Sequence, residues 1–249
     1  GDVVYILDTK KENNVIIHFT KNLPKHLEET FKAVVDAKQR YRTECNHTAT
    51  HLLHQALREV LGSHVEQKGS AVHSKYLRFD FSHFSKLTVE ELRDVEQFVN
   101  RRIEGKLPLI EKRNMPKEEA IAEGAMSLFG EKYGDTVRAI RFGQSIELCG
   151  GTHVKRTGDI GLLKIVSESG IAAGVRRIEA VTGKAAFDSV RSTELTLQKI
   201  ASLVKGNSDN VLEKITSLSE QTRALQKEVD QLKSKIAAQA GADMASQAI

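Results

Sequence analysis

The chain has 249 residues, with 37 lysines and arginines against 33 aspartates and glutamates, a net charge of +4, 40% apolar residues and 28% charged ones. At ~150 residues per domain this is one large domain or a domain with an appendage, of ordinary globular composition. No run reaches the ~18 apolar residues of a membrane span, the N-terminus lacks a signal-peptide layout, and two cysteines, Cys45 and Cys149, exclude a disulfide scaffold, so a cytoplasmic protein without membrane contact is expected.

Chain order gives the expected elements. Gly1 stands where an initiator methionine would, directly before the strand-like run Val3 to Leu7, which reads as a piece of a longer protein. A second strand is expected from Asn14 to Phe19 after the polar turn Lys10 to Asn14, and a third from Thr30 to Asp36. A helix follows from about Glu44 to Leu61, with Leu52, Leu53, Ala56, Leu57 and Val60 at helical spacing and Gly62 as its stop. Tyr76 to Ser82 alternates apolar and polar, the mark of a strand with one buried face. Thr88 with Glu91 makes a capping box for a second helix, with Leu92, Val95, Val99 and Ile103 on one stripe. Pro116 opens a third, Lys117 to Glu123.

From Thr136 to Thr182 the texture changes. Eight of the 17 glycines lie between Gly143 and Gly183 and separate short β-prone runs, Val137 to Phe142, Gly161 to Val166 and Val175 to Val181. Between Val137 and Lys184 eight basic residues face four acidic ones, a stretch that can attract phosphate or merely form a solvated face. The order of elements predicts an α+β fold, an antiparallel sheet with helices packed on one face.

The tail differs in kind. Ala185 to Val204 is helical, and Lys205 to Asp209 can turn the chain back. Val211, Ile215, Leu218, Thr222, Leu225, Val229, Leu232 and Ile236 then step by 4, 3, 4, 3, 4, 3 and 4, a heptad seam with one polar interruption. A helical hairpin and an intermolecular coiled coil both fit it, so oligomerisation through these helices stays open.

Six of the nine histidines fall between His47 and His83. His47 and His51 stand at i and i+4, on one helix face, where two imidazoles can hold one zinc ion. The zinc-peptidase motif has a glutamate after its first histidine; Thr48 occupies that place, which disfavours a peptidase. Cys149-Gly-Gly-Thr-His153 adds a thiolate and a third imidazole in a glycine turn, and the four residues together are the ligand types zinc prefers. His54 either backs these ligands or packs in the core. Cys45 is expected as a buried thiol, Arg78 with Asp80 either as a surface ion pair worth little or in a functional role, and His64, His73 and His83 as surface residues without paired spacing.

The motifs Asn46-His-Thr-Ala-Thr-His-Leu-Leu-His54, Gln67-Lys-Gly-Ser70, Leu77-Arg-Phe-Asp-Phe81, Phe129-Gly-Glu-Lys-Tyr133, Glu147-Leu-Cys-Gly-Gly-Thr-His153, Thr157-Gly-Asp-Ile-Gly161 and Gly174-Val-Arg-Arg-Ile-Glu-Ala180 together resemble the editing domain of the alanyl-tRNA synthetase family. The resemblance runs from about residue 30 to 185. It implies part of a small β-barrel subdomain over 1–40, a zinc-binding editing domain over 41–184, and a helical hairpin or coiled-coil linker over 185–249 toward a further domain. It also implies that the ATP-dependent aminoacylation domain has no counterpart in these residues.

What the resemblance implies about activity is hydrolysis of the ester that joins serine or glycine wrongly to the alanine tRNA. Zinc would be held by His47, His51, Cys149 and His153. Thr50 and Gln67 would line the amino-acid pocket, where a hydroxyl and an amide can donate to and accept from a serine side chain. Arg176 would contact the tRNA end, with Arg177 pointing to the opposite face of its strand. The catalytic group itself is a water, activated by zinc if one coordination place is open, or held by the terminal ribose or backbone if all four ligands bind. Two other readings remain: a free-standing editing deacylase, and a non-catalytic zinc-stabilised module that binds tRNA or forms a coiled coil.

Overall fold

The computed structural model describes residues 2–13, 15–127 and 134–247, with side chains to residue 240. The motif Phe129 to Tyr133 lies outside the described residues. The chain forms two compact units, residues 1–37 and 38–249.

In the first unit β1 (Ile6–Glu12) pairs antiparallel with β2 (Val15–Thr20). Asn13 has a left-handed φ of 47°, which asparagine tolerates better than most residues. The strand expected at Thr30–Asp36 is not formed. Those residues are irregular and exposed, since a β-branched run needs a neighbouring strand to bond to and none lies beside it among the described residues. The two strands close no barrel.

α1 (Ala37–Leu61) starts at Ala37 rather than near Glu44, and from Lys38 on it belongs to the second unit. β3 (Gln67–Val72), β4 (Leu77–Ser82), β8 (Leu163–Ala172) and β9 (Val175–Thr182) build a four-stranded antiparallel sheet in the order β3-β4-β9-β8. Its register decides which side is covered. Leu77 lies opposite Ala180, Phe79 opposite Ile178 and Phe81 opposite Arg176, while Asp80 meets Arg177 on the other face. Alternation therefore gives one apolar face, and α1 and α2 (Val89–Glu104) supply Leu52, Leu53, Leu57, Val95, Val99 and Ile103 to the same core cluster. The capping box of α2 forms as read: Glu91 N–H donates to Thr88 Oγ1 at 3.1 Å and Thr88 N–H to Glu91 Oε2 at 2.8 Å.

A second antiparallel sheet, β5-β6-β7, consists of β5 (Leu109–Pro116), β6 (Thr136–Phe142) and β7 (Ser145–Leu148). α3 (Lys117–Ala122) follows Pro116 directly. All four residues of β7 are buried, and β7 leads straight into the Cys149 turn.

The helical tail forms as α4 (Gly183–Leu203) and α5 (Val211–Gln247), joined by a turn in which Asn207 Oδ1 accepts from the Asp209 and Asn210 N–H groups. Beyond Val211, which is buried, the seam is open: Ile215, Leu218, Leu225, Val229, Leu232 and Ile236 each leave between 39% and 66% of their surface exposed. Among the described residues no helix is long and apolar enough to cross a membrane.

Candidate metal centre

Two segments a hundred residues apart in sequence meet at one point. α1 contributes His47 and His51 from one face, and the turn after β7 contributes Cys149 and His153. One donor atom from each lies within 4.8 Å of the others. Cys149 Sγ is 3.4 Å from His47 Nε2 and 3.4 Å from His153 Nε2, and the His47 and His153 rings stack at 4.2 Å between centroids.

Local sequence explains the approach. A Cβ on Gly151 would stand 2.6 Å from His47 Nδ1, so only glycine lets the turn come this close to the helix. Arg138 ties the turn down, donating to the carbonyls of Cys149 at 2.8 Å and Gly151 at 2.5 Å, and its Nε is bonded to Glu111 at 2.5 Å. Thr48, in the place where a peptidase would carry its glutamate, turns its hydroxyl to the same loop: it accepts from the Val154 N–H at 3.2 Å and lies 3.1 Å from His153 Nδ1.

Electrostatics prepare the imidazoles as ligands. Burial, and next the neighbouring His51, press His47 down to about 4. Burial, then His51 and His47, press His153 down to about 2, and burial lowers His51 as well. All three are neutral near pH 7, the form that binds a metal. Glu147 is buried at 3% exposure, and burial alone would raise its carboxyl; His51, then His54 and His47, outweigh this and hold it below the usual carboxylate range. His51 Nε2 lies 3.3 Å from Glu147 Oε2, while the hydrogen bond to this carboxyl comes from His54 Nδ1 at 3.1 Å.

The residues fit a zinc ion by chemistry and by an unmet need. Imidazole nitrogen and thiolate sulfur are both donor types that zinc takes, four in number as its tetrahedral sites require, and His51 Nδ1 is buried with no hydrogen-bond partner, a costly condition unless some group meets it. His47, His51, Cys149 and His153 would hold the ion.

The pocket residues expected from sequence are placed less directly. Thr50 is buried and its hydroxyl donates back to the Asn46 carbonyl at 2.8 Å. Gln67 opens β3 and donates to Ser70 Oγ at 3.3 Å. Register sets Gln67 opposite Phe81 and Phe81 opposite Arg176, so Gln67, Phe81 and Arg176 form one row across the covered face of the sheet. Arg176 is held there by Glu168, with Nε to Oε1 at 2.5 Å, and Glu168 Oε2 is buried without a partner. Arg177 points the other way, as strand alternation requires, and grips both oxygens of Asp80 at 2.7 and 2.8 Å.

That last contact corrects the expected Arg78–Asp80 surface pair. Asp80 is 6% exposed and its main partner is Arg177, with Arg78 Nε farther off at 3.6 Å, because the bidentate partner sits on the adjacent strand rather than two residues along the same one. His64 is exposed, as expected, but His83 is half-buried and the two are paired, with His64 Nε2 2.9 Å from His83 Nδ1. Cys45 is the buried thiol anticipated; burial pushes it up to about 11, and its Sγ donates to the Asp159 carbonyl at 3.6 Å. Sequence reasoning missed Glu147 and Arg138 as members of the site. Glu147 is two residues before Cys149, but its partner His54 is 93 residues away, beyond any local spacing rule.

Comparison with known proteins bears on the class first. Residues 137–179 match the family model described as the threonyl and alanyl tRNA synthetase second additional domain, a stretch that carries Glu147, Cys149, His153 and Arg176. Beyond that stretch, the chain is similar almost end to end to alanine–tRNA ligases. It is 59% identical to that of Christiangramia forsetii over 93% of this chain and 26% of the relative. It is 54% identical to that of Flavobacterium psychrophilum over 91% and 26%, and 52% identical to that of Colwellia psychrerythraea over 100% and 28%. The chain thus spans about a quarter of the length of these curated relatives, and the resemblance to the alanyl-tRNA synthetase family read from its motifs stands.

Proposed function

We propose that this chain is an aminoacyl-tRNA deacylase module, hydrolysing the ester of serine or glycine joined to the alanine tRNA. The observation that carries the reading is the convergence of His47, His51, Cys149 and His153 within 4.8 Å; the register that sets Gln67 and Arg176 in one row of the sheet agrees with it. The chemical need is general: a synthetic site for alanine cannot strongly reject glycine, which is smaller, nor a residue that adds only a hydroxyl, so a second sieve must remove what passes. Thr50 and Gln67, bonded within the chain to Asn46 and Ser70, each keep an acceptor oxygen to which a serine hydroxyl can donate and an alanyl methyl cannot. Arg176, its direction set by Glu168, faces the tRNA end.

Four donors in one cluster favour a coordinatively closed site. Zinc held there would supply positive charge beside the scissile ester. The attacking water is then held by the backbone or the terminal ribose, and this chain's part is to seat the amino acid and exclude the alanyl ester. Metal content and seryl-tRNA hydrolysis, with and without chelator, test the reading. One zinc per chain with chelator-sensitive turnover supports it; turnover without metal keeps the activity and leaves the four residues as a substrate-positioning cluster. Binding of tRNA without turnover favours the non-catalytic module.

We also infer that the open seam of α5 pairs with a second copy of the chain. The residues Ile215, Thr222, Val229 and Ile236 fall at one seam position and Leu218, Leu225 and Leu232 at the other, and β-branched residues at the first with leucine at the second favour two parallel strands. Glu228 and Lys233 then flank the seam at positions that attract across such a pair. Sedimentation equilibrium giving a monomer at all micromolar concentrations would remove this reading.

A further inference from the structure

We infer that Glu147 and His54 form a positioning pair for the metal cluster, an outer support that fixes His51 and balances the charge of the ion. The inference rests on the metal reading of the four clustered residues and goes beyond it.

The geometry is a single buried chain of contacts. Glu147 Oε2 lies 3.3 Å from His51 Nε2, and its Oε1 lies 3.1 Å from His54 Nδ1. His54 is 4% exposed and is stopped on its far side by Phe79, ring to ring at 5.3 Å. Ligand, carboxylate, second imidazole and core aromatic thus run in series from α1 through β7, back to α1, and down to β4. Each link limits the rotation of the one before it. A ligand whose ring is fixed before the metal arrives loses less freedom on binding, and a carboxylate on the imidazole also makes it a better donor.

Charge gives the second argument. Three neutral imidazoles and one thiolate around a divalent ion leave a net charge of about +1, which is expensive inside a protein. Among the described residues Glu147 is the one carboxylate paired with a cluster histidine, and its charge brings the buried assembly to zero. Arg138, the charged side chain clamping the Cys149 turn, shares Glu111 with Arg113, so its positive charge does nothing to offset that of the ion.

The test is zinc affinity of the full chain by chelator competition, together with the absorption spectrum of its cobalt form. Glu147→Gln keeps size and one acceptor oxygen but removes the charge. It is expected to bind zinc 10–100-fold more weakly and to shift the cobalt bands, while the metal-free chain keeps its melting temperature within a few degrees. His54→Gln is expected to weaken binding in the same direction. The double variant should bind no worse than Glu147→Gln alone, since His54 acts through the carboxylate. A Glu147→Gln chain with parental zinc affinity and an unchanged cobalt spectrum overturns the inference. If that variant does not fold, His54→Gln decides, and parental affinity there overturns it equally. A parental chain that binds no zinc overturns the metal reading instead, so the two failures are distinct.

Discussion

Two helices of this molecule, α1 and α5, both carry strong helical patterns, yet they have opposite fates. From Cys45 to Leu57 α1 buries all but His47, including the polar Asn46, Thr48, Thr50, His51, His54 and Gln55, whereas in α5 every side chain from Leu212 to Ala240 except Lys214 is exposed. Apolar periodicity establishes a helix and names the face it would bury, but the burial itself comes from what lies beneath. α1 has the apolar face of the four-stranded sheet on one side and the Cys149 turn on the other. Part of that polar load is bonded, since Asn46 Nδ2 donates to the His73 carbonyl at 2.6 Å and Asn46 Oδ1 accepts from Thr182 Oγ1 at 2.7 Å, while His51 Nδ1, His54 Nε2 and Gln55 Oε1 are buried without a partner. A helix that buries this many polar groups is specified by its site as much as by its core.

The same substitution in both helices puts the difference in numbers. Leu53→Ala in α1, at 0% exposure, removes a fully packed side chain and should destabilise the chain by about 2–5 kcal/mol in urea unfolding. A loss under 1 kcal/mol would mean that α1 is not the packed element its burial describes.

Acid should act on the histidine cluster that α1 carries. In the metal-free chain His47 keeps a proton only below about 4, against 6.5 for an ordinary imidazole. Between those values the unfolded chain binds a proton the native chain refuses, so stability rises with pH there. It is full above pH 6.5 and declines as the pH falls toward 4, by on the order of 3 kcal/mol from His47 alone, with His153 adding in the same direction. Chemical denaturation in chelator at pH 7 and pH 4.5 measures this; equal midpoints would mean that the cluster is hydrated. Smaller, and confined to one hydroxyl, is Thr48→Val. The shape is kept but the Val154 N–H loses its acceptor and His153 its neighbour, at a cost of about 1–3 kcal/mol by the same measurement.

What could be read from sequence follows the same division. The i, i+4 spacing of His47 and His51 and the Cys149–His153 turn found the cluster because each half is local. α2 was legible through its capping box, and β4 through alternation. β3 and β5 were not: Gln67 to Val72 contains Lys68 and Gly69, and β5 bends at Asn114, whose φ is 54°, where the register shifts between Lys112 and Met115. Thr30 to Asp36 failed in the other sense, with strand-forming residues and no strand to pair with. The Glu147–His54 contact was hidden because nothing local links residues 93 apart; only the fold brings β7 under α1.

Leu225→Ala in α5 is the smallest expected effect and the sharpest test of the comparison. Leu225 leaves 61% of its surface open within the chain, so truncating it should change stability by no more than about 0.5 kcal/mol at low protein concentration, as for other exposed positions. Leu53→Ala costs several times more for the same atoms, and that ratio measures what cover is worth. If the Leu225→Ala loss grows with protein concentration, the seam is covered by a second chain, and α5 then resembles α1 in principle, with its partner surface supplied from outside rather than by its own sheet. If the loss is large and independent of concentration, another part of this chain lies on the seam in solution, and the contrast between the two helices falls.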